Sequence, residues 1–347
     1  MIDLRTDTVT RPTEAMLDAM REASFGDDSR DGDPTAMKLE AMAAERTGKE
    51  AGAFMPSGTM TNLVAVLTHT QRGGEVLLES GSHILNSELG GITALAGAFY
   101  KGLPGRRGGM DLDELRETMR LPTRQSFGTA LVCMETTHNR AGGAVLPLAH
   151  MKAVYDLAHE RAVPVHLDGA RLFNAATALG VVAREIAHNA DSVTFCVSKG
   201  LSAPVGSILC GSRAFIERAR AFRRMVGGNL RQAGPLAAAG IVALETMVAR
   251  LAEDHSTAKR LAAGLHAIDA SLTDAREVET NIVRVDVRKS GRRAAQWSAD
   301  MQEAGIRVAP ADGWALRFVT HRHIGPAEID AAVSAFAELW KKRSPAS

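Results

Sequence analysis

The sequence predicts an α/β protein: a large N-terminal domain built on a mostly parallel sheet, then a smaller α+β domain at the C-terminus. Three observations carry this. Short apolar, β-branched runs alternate with helix-periodic stretches between residues 129 and 211, the pattern of a parallel sheet with crossover helices. Past residue 234 the texture changes to a long Ala/Leu-rich stretch followed by short strand-like runs. The chain has 347 residues, room for one large body and one small. The division is placed at residues 1–245, with an N-terminal arm at 1–20, and 246–347.

Taken in order, residues 13–24 and 35–49 read as helices, with apolar side chains at three-to-four spacing, as in Met37, Leu39, Met42 and Ala43. Between them "FGDDSRDGDP" is a turn-rich loop. From Thr59 "TMTNLVAVLTHT" is helical and opens directly after the turn "MPSG". "VLLESGSH" is a strand reaching His83, and "TALVCME" (129–135) is another. A helix follows at 148–162, then strands "VPVHLD" (163–168) and "DSVTFCV" (191–197). "GSILCG" (206–211) comes so soon after that an antiparallel return is expected. The Ala/Leu-rich stretch is helical, with a break expected near Asp254. It leads to strand "NIVRVDV" (281–287), helix "AAQWSADMQEAG", strands at "IRVAP" and "ALRFVTH", and a last helix from Pro326.

Composition narrows the function. Lys+Arg 41 against Asp+Glu 40 leaves a net charge of +1, no bulk attraction for nucleic acid or an anionic membrane. Aromatic content of 4% speaks against a base-stacking surface. No run of about 18 apolar residues could span a membrane, and "MIDLRTDTVTRP" has no apolar secretory core. Cys133, Cys196 and Cys210 lie in strand-like apolar runs without metal spacing. Buried thiols and a reducing cytoplasm are expected.

Open α/β sheets gather ligands at the carboxyl ends of their strands, and chemistry collects there. One predicted strand ends in Asp168-Gly169-Ala170-Arg171, another in Ser198-Lys199, a third in Glu135 through Asn139, and an earlier one in His83. An ammonium beside an apolar site shifts toward the neutral amine, a nucleophile for carbonyl carbon. A lysine at a strand end can equally snorkel into water. A pyridine ring that serves as an electron sink needs a carboxylate at its ring nitrogen, a lysine to form an imine, and a dock for its phosphate. Asp168, Lys199 and the turn "PSGT", with Gly58 and Thr59 opening a helix, match those needs. That turn also reads as an ordinary helix cap.

The segments "DLRTDTVTRPT", "PSGTMTNL", "HLDGARLFNA", "SKGLSAPVGS" and "GGNLRQAG" resemble the threonine aldolases nearly end to end, from Leu4 to "LRFVTH". These are pyridoxal-phosphate enzymes of the aspartate-aminotransferase fold (fold type I), related to the β-eliminating lyases. The resemblance implies that Lys199 holds pyridoxal 5'-phosphate through an imine, that Asp168 pairs with the ring nitrogen and that His83 stacks on the ring. Gly58 and Thr59 would hold the phosphate. Arg171 and Arg317, with Thr6, would grip the substrate carboxylate. Arg231 would reach the phosphate of a neighbouring subunit, since sites in this family lie between subunits of a homodimer or homotetramer. The implied reaction cleaves L-threonine- or L-allo-threonine-like β-hydroxy-α-amino acids to glycine and an aldehyde. His83, or a water held by it and Glu88, is the candidate base.

The chain departs from the family pattern in places. Arg30-Asp31 stand in a loop where many members carry a tyrosine and an extra glycine-acid pair. Arg30 could face the β-substituent and favour an acidic substrate such as 3-hydroxyaspartate, or be a solvated surface charge. Arg124-Gln125-Ser126 lack a histidine that some members carry, which leans the base role toward His83. Asn229 replaces a common glycine. His138, His321 and His323 have no second ligand set at a recognisable spacing, so no catalytic metal is expected. Two readings stand beside the aldolase: a β-eliminating lyase or transaminase using the same Lys199 and Asp168, and a catalytically silent relative that binds cofactor or amino acid.

Overall fold

The computed structural model describes residues 1–342; the last five residues of the expected C-terminal domain, 343–347, lie outside the described residues. Its centre is a seven-stranded sheet of β1 (Ala51–Met55), β2 (Glu75–Glu79), β3 (Phe99–Leu103), β4 (Thr129–Glu135), β5 (Val165–Asp168), β6 (Ser192–Cys196) and β7 (Ser207–Gly211). The spatial order is β1-β7-β6-β5-β4-β2-β3. Strands β3, β2, β4, β5 and β6 are parallel neighbours. Only β7 runs against its neighbours, β6 and β1, the expected antiparallel return. All residues of β5, β6 and β7 are buried, as in a sheet covered on both faces.

Local chemistry sets the helices. In α1 (Glu14–Glu22), the Thr13 hydroxyl caps the first turn by accepting from the Met16 N–H at 3.2 Å. In α2 (Pro34–Thr47), Asp33 Oδ1 accepts from the N–H groups of Thr35 and Ala36, both at 3.0 Å. Pro34 occupies the first turn, where no N–H is missed. Ser57 caps α3 (Gly58–His69) by accepting from Met60 N–H. Helix α3 packs on β6 and β7, with its N-terminus at the carboxyl edge of the sheet.

A second core forms around α4 (Leu251–Ile268), α5 (Ala294–Glu303), α6 (Pro326–Lys341) and a small antiparallel sheet of β8 (Ile282–Asp286), β9 (Ala309–Pro310) and β10 (Ala315–Val319). Trp297, Phe336 and Trp340 stack within it. Two features differ from the sequence reading. The N-terminal arm does not belong wholly to the large body: Ile2–Asp3 pair in parallel with Ile306–Arg307, and Leu4 is buried in the second core. The helical break falls at 248–250, not near Asp254. Arg250 holds the Asp254 carboxylate at 2.7 Å from one turn earlier, so Asp254 stays inside α4. Leu251 packs in the first core and Ala258 in the second, so α4 itself bridges the boundary placed at 246. Among the described residues, no single helix is long and apolar enough to cross a membrane.

Candidate active site

Asp168 is the last residue of β5, and its side chain is buried. Its Oδ1 accepts from Ala170 N–H at 3.0 Å and its Oδ2 from the Asn62 amide at 2.9 Å. The same Asn62 amide nitrogen donates to Glu88 Oε1 at 2.9 Å. Glu88 Oε1 in turn receives His83 Nδ1 at 2.9 Å. Acceptor or donor atoms of His83, Glu88 and Asp168 all lie within 4.8 Å of one another. Burial raises the Glu88 carboxyl above its ordinary value, and hydrogen bonds from His83 and Asn62 pull it back. The bond to Glu88 raises His83 above its ordinary value. One buried amide thus bridges two carboxylates, and one of them orients an imidazole whose other nitrogen is not taken up by that bond.

His83 reaches this place differently from expectation. Strand β2 stops at Glu79, because Gly81 N–H turns back to Glu79 Oε2 at 2.7 Å and Ser82 N–H to Glu79 C=O at 3.0 Å. His83 opens a one-turn helix, His83–Asn86, and its N–H donates to Glu135 Oε2 at 2.6 Å. Glu135, at the end of β4, also accepts from Asn139 N–H at 2.8 Å.

Lys199 follows β6 by three residues. Its carbonyl accepts from the Thr10 hydroxyl at 2.9 Å, which ties the N-terminal arm to this loop. Among the described residues, its Nζ makes no hydrogen bond, and its charge is one of those that hold Asp7 ionised. Gly58 leaves no room for a side chain: a Cβ there would lie 2.9 Å from Cys196 Sγ. That close approach keeps the first N–H groups of α3 open to an anion. A lysine, a buried carboxylate, an imidazole and an N–H-lined helix start therefore meet at one sheet edge. These residues fit pyridoxal phosphate.

The arginines hold a finding the sequence did not signal. Arg171 is buried, and its Nε and Nη2 both donate to the fully buried Asp7 carboxylate, each at 2.7 Å. Burial alone would raise Asp7; the adjacent Arg171 overcomes it, helped by Lys199 and by Asn281 at 3.1 Å, and holds the carboxyl well below its usual range. Asp7 therefore takes the Nε/Nη2 edge of Arg171, and the two N–H groups of Nη1 with the second of Nη2 are left as the edge that can face a substrate. Arg317 donates through Nη1 to Asn139 Oδ1 at 3.0 Å and through Nη2 to the Arg5 carbonyl at 3.3 Å, while its buried Nε has no partner. Burial and the nearby Arg171 charge both lower its pKa. Thr6 lies between these anchors; its hydroxyl accepts from Thr8 N–H at 3.2 Å.

Two expected residues are not brought to this cluster within one chain. Arg30 is a surface side chain, 78% exposed, 3.7 Å from Asp27. Arg231 is also exposed, bonded to Ser29 and lying 3.8 Å from Asp27. Residues missed by sequence reasoning are Asp7, Asn62 and His166, and Asn139 was read only as part of a strand end. A signal existed for one of them: His166 and Asp168 are two apart on one strand, so they share a face.

The profile of the β-eliminating lyase family matches residues 3–290. The chain is 41% identical to low-specificity L-threonine aldolase 1 of Arabidopsis thaliana over 342 residues, covering 97% of this chain and 96% of that protein. It is 41% identical to the low specificity L-threonine aldolase of Escherichia coli K12 over 330 residues, covering 95% and 96%. The fold matches the solved threonine aldolase of Leishmania major with a TM-score of 0.81 at 18% identity, covering 98% and 100%. It also matches a structure of SPT with pyridoxal phosphate (TM-score 0.77, 19% identity, covering 98% and 87%). With a profile spanning most of its length and relatives of this identity, the chain belongs to the β-eliminating lyase family of pyridoxal-phosphate enzymes.

Proposed function

We infer that this chain cleaves L-threonine-like β-hydroxy-α-amino acids by a retro-aldol reaction, giving glycine and an aldehyde. The observation that carries the reading is the buried Asp168 carboxylate, fixed by Asn62 beside the His83–Glu88 pair, at the edge that also bears Lys199. The curated relatives named above support the substrate class. When bound, pyridoxal phosphate supplies the sink for the electron pair left by the broken Cα–Cβ bond.

The chain's own residues do the rest. Lys199 provides the amine that anchors the cofactor, and Gly58 and Thr59 present the N-terminus of α3 to its phosphate. Asp168, whose two oxygens accept from Ala170 N–H and the Asn62 amide, would pair with the ring nitrogen of the cofactor. Arg317 and the edge of Arg171 not taken by Asp7 hold the substrate carboxylate, with Thr6 between them. Glu88 accepts the Nδ1–H hydrogen bond of neutral His83, which leaves the Nε2 lone pair to accept the β-hydroxyl proton as the bond breaks. A shared site in a homodimer or homotetramer belongs to the same proposal. Its support is Leu89, the residue after Glu88, which is 99% exposed, and Arg231, an exposed side chain away from the cluster of its own chain. A cytoplasmic setting is proposed from the three buried free cysteines.

The test is a panel of β-hydroxy amino acids incubated with the purified holoenzyme. Equal amounts of glycine and the matching aldehyde are expected. A keto acid with ammonia would replace this reading with β-elimination. Full turnover in Lys199→Ala would overturn both.

A further inference from the structure

Beneath Asp168 the structure holds a line of polar side chains that the reaction above does not use. Asn62 Oδ1 lies 3.2 Å from His166 Nε2, His166 Nδ1 lies 2.9 Å from Ser192 Oγ, and Ser192 Oγ lies 2.8 Å from His69 Nε2. Asn62, His166 and Ser192 are buried. The fold explains the line. His166 and Ser192 are directly paired across β5 and β6, and Asn62 and His69 are seven residues apart, on one face of α3. His69 closes the line, stacked on Phe215 at 4.3 Å between ring centres.

Elementary chemistry fixes every proton in it. Carboxylates only accept, so the Asn62 amide must turn its NH₂ to Glu88 and Asp168 and its oxygen to His166. His166 then carries its proton on Nε2, and Nδ1 accepts from the Ser192 hydroxyl. Ser192 Oγ in turn accepts from His69 Nε2–H. Burial depresses both imidazoles, His166 to about 4 and His69 to about 3, so both stay neutral. All four donors therefore point the same way, toward Asp168. Aligned hydrogen bonds polarise one another in a low-dielectric interior.

We propose that Asn62, His166, Ser192 and His69 are positioning residues for the cofactor ring: a one-way donor line that makes Asp168 a weaker base and so leaves the proton on the ring nitrogen. This rests on the reading of Asp168 given above. Other charged or titratable groups around that carboxylate are His83, Glu88, Glu135, His138 and Cys133, and Arg218 faces His69. None of them is altered by the variants below.

The readout is the pH midpoint of the visible band of the bound cofactor, with the affinity of the apoprotein for pyridoxal phosphate beside it. His166→Phe removes the donor to Asn62. Asp168 becomes more basic, the ring nitrogen loses cationic character, and the midpoint should rise by roughly half a pH unit, a fraction of what one hydrogen bond to a charged group is worth. His166→Gln keeps an N–H donor and should return the midpoint to the wild-type value. Ser192→Ala, which deletes a single oxygen, should move it the same way by less, and it carries the test if His166→Phe does not fold. A midpoint unmoved in folded His166→Phe or Ser192→Ala, or moved equally by His166→Gln, overturns the donor line and leaves the proposed reaction standing. Absence of any visible band in the wild-type protein supplied with cofactor overturns both.

Discussion

Asp7→Asn isolates the pair that the structure places under the substrate site. Asp7 is fully buried and meets Arg171 through two 2.7 Å bonds. The substitution keeps the shape, removes the charge and turns an NH₂ or a single oxygen toward a guanidinium that no longer has a counter-ion. Removing one partner of a buried pair costs about 3–5 kcal/mol. With about 2.1 cal/mol/K of unfolding entropy per residue over 347 residues, this lowers the melting temperature by about 4–7 °C. The folded carboxyl lies below its ordinary value of 3.8, so its contribution is complete above that value and is lost only as the pH falls through the folded one. The difference between variant and wild type is therefore flat across neutral pH and closes only in strong acid. Differential scanning calorimetry of the two proteins over that range measures it. Arg171→Met added to Asp7→Asn should recover part of the loss, because removing the guanidinium leaves no buried charge uncompensated. A single variant melting within about 1 °C of wild type at neutral pH would refute the reasoning, since even a median exposed pair is worth up to about 1 kcal/mol.

Three further outcomes are expected. His83 must be neutral to accept a proton, and Glu88 raises its pKa above 6.5; kcat/KM should thus climb through a midpoint above that value, and His83→Asn should abolish this limb and cost roughly 10²–10⁴-fold. Gly58→Ala pushes a methyl against Cys196 Sγ and should weaken pyridoxal-phosphate binding by about tenfold, or 1.4 kcal/mol, by equilibrium dialysis. Arg30→Tyr alters a side chain that touches none of the clustered site residues of its own chain. The ratio of activity on threonine to that on 3-hydroxyaspartate should stay within about twofold, the 0–1 kcal/mol scale of an exposed charge; a larger swing would place Arg30 against the substrate of a neighbouring subunit.

The sheet was legible because β4 to β7 are short, apolar and almost entirely buried, so the runs stand out against the helix-periodic stretches. Strand β1, "AGAFM", was not read, because two alanines and a glycine give no periodic signal. Lys199, Asp168 and His83 were found because their motifs are local in sequence. Asp7 and Arg171 are 164 residues apart, and Asn62 and Asp168 are 106 apart. No local pattern reveals such pairs; only the closed sheet makes them neighbours. The break near Asp254 was misplaced for a similar reason: an aspartate looks like a helix stop until Arg250 is seen holding it.

The N-terminal arm has a consequence for how the protein comes off the ribosome. Ile2 and Asp3 need Ile306 and Arg307 to pair with, Leu4 receives the Val319 amide, and Asp7 leans on Asn281. This segment can thus be seated only after residues 306–319 have been made. A nascent chain still short of residue 319 lacks Arg317 and the strand partners of residues 2–4, so the catalytic edge becomes competent only once residue 319 has been made.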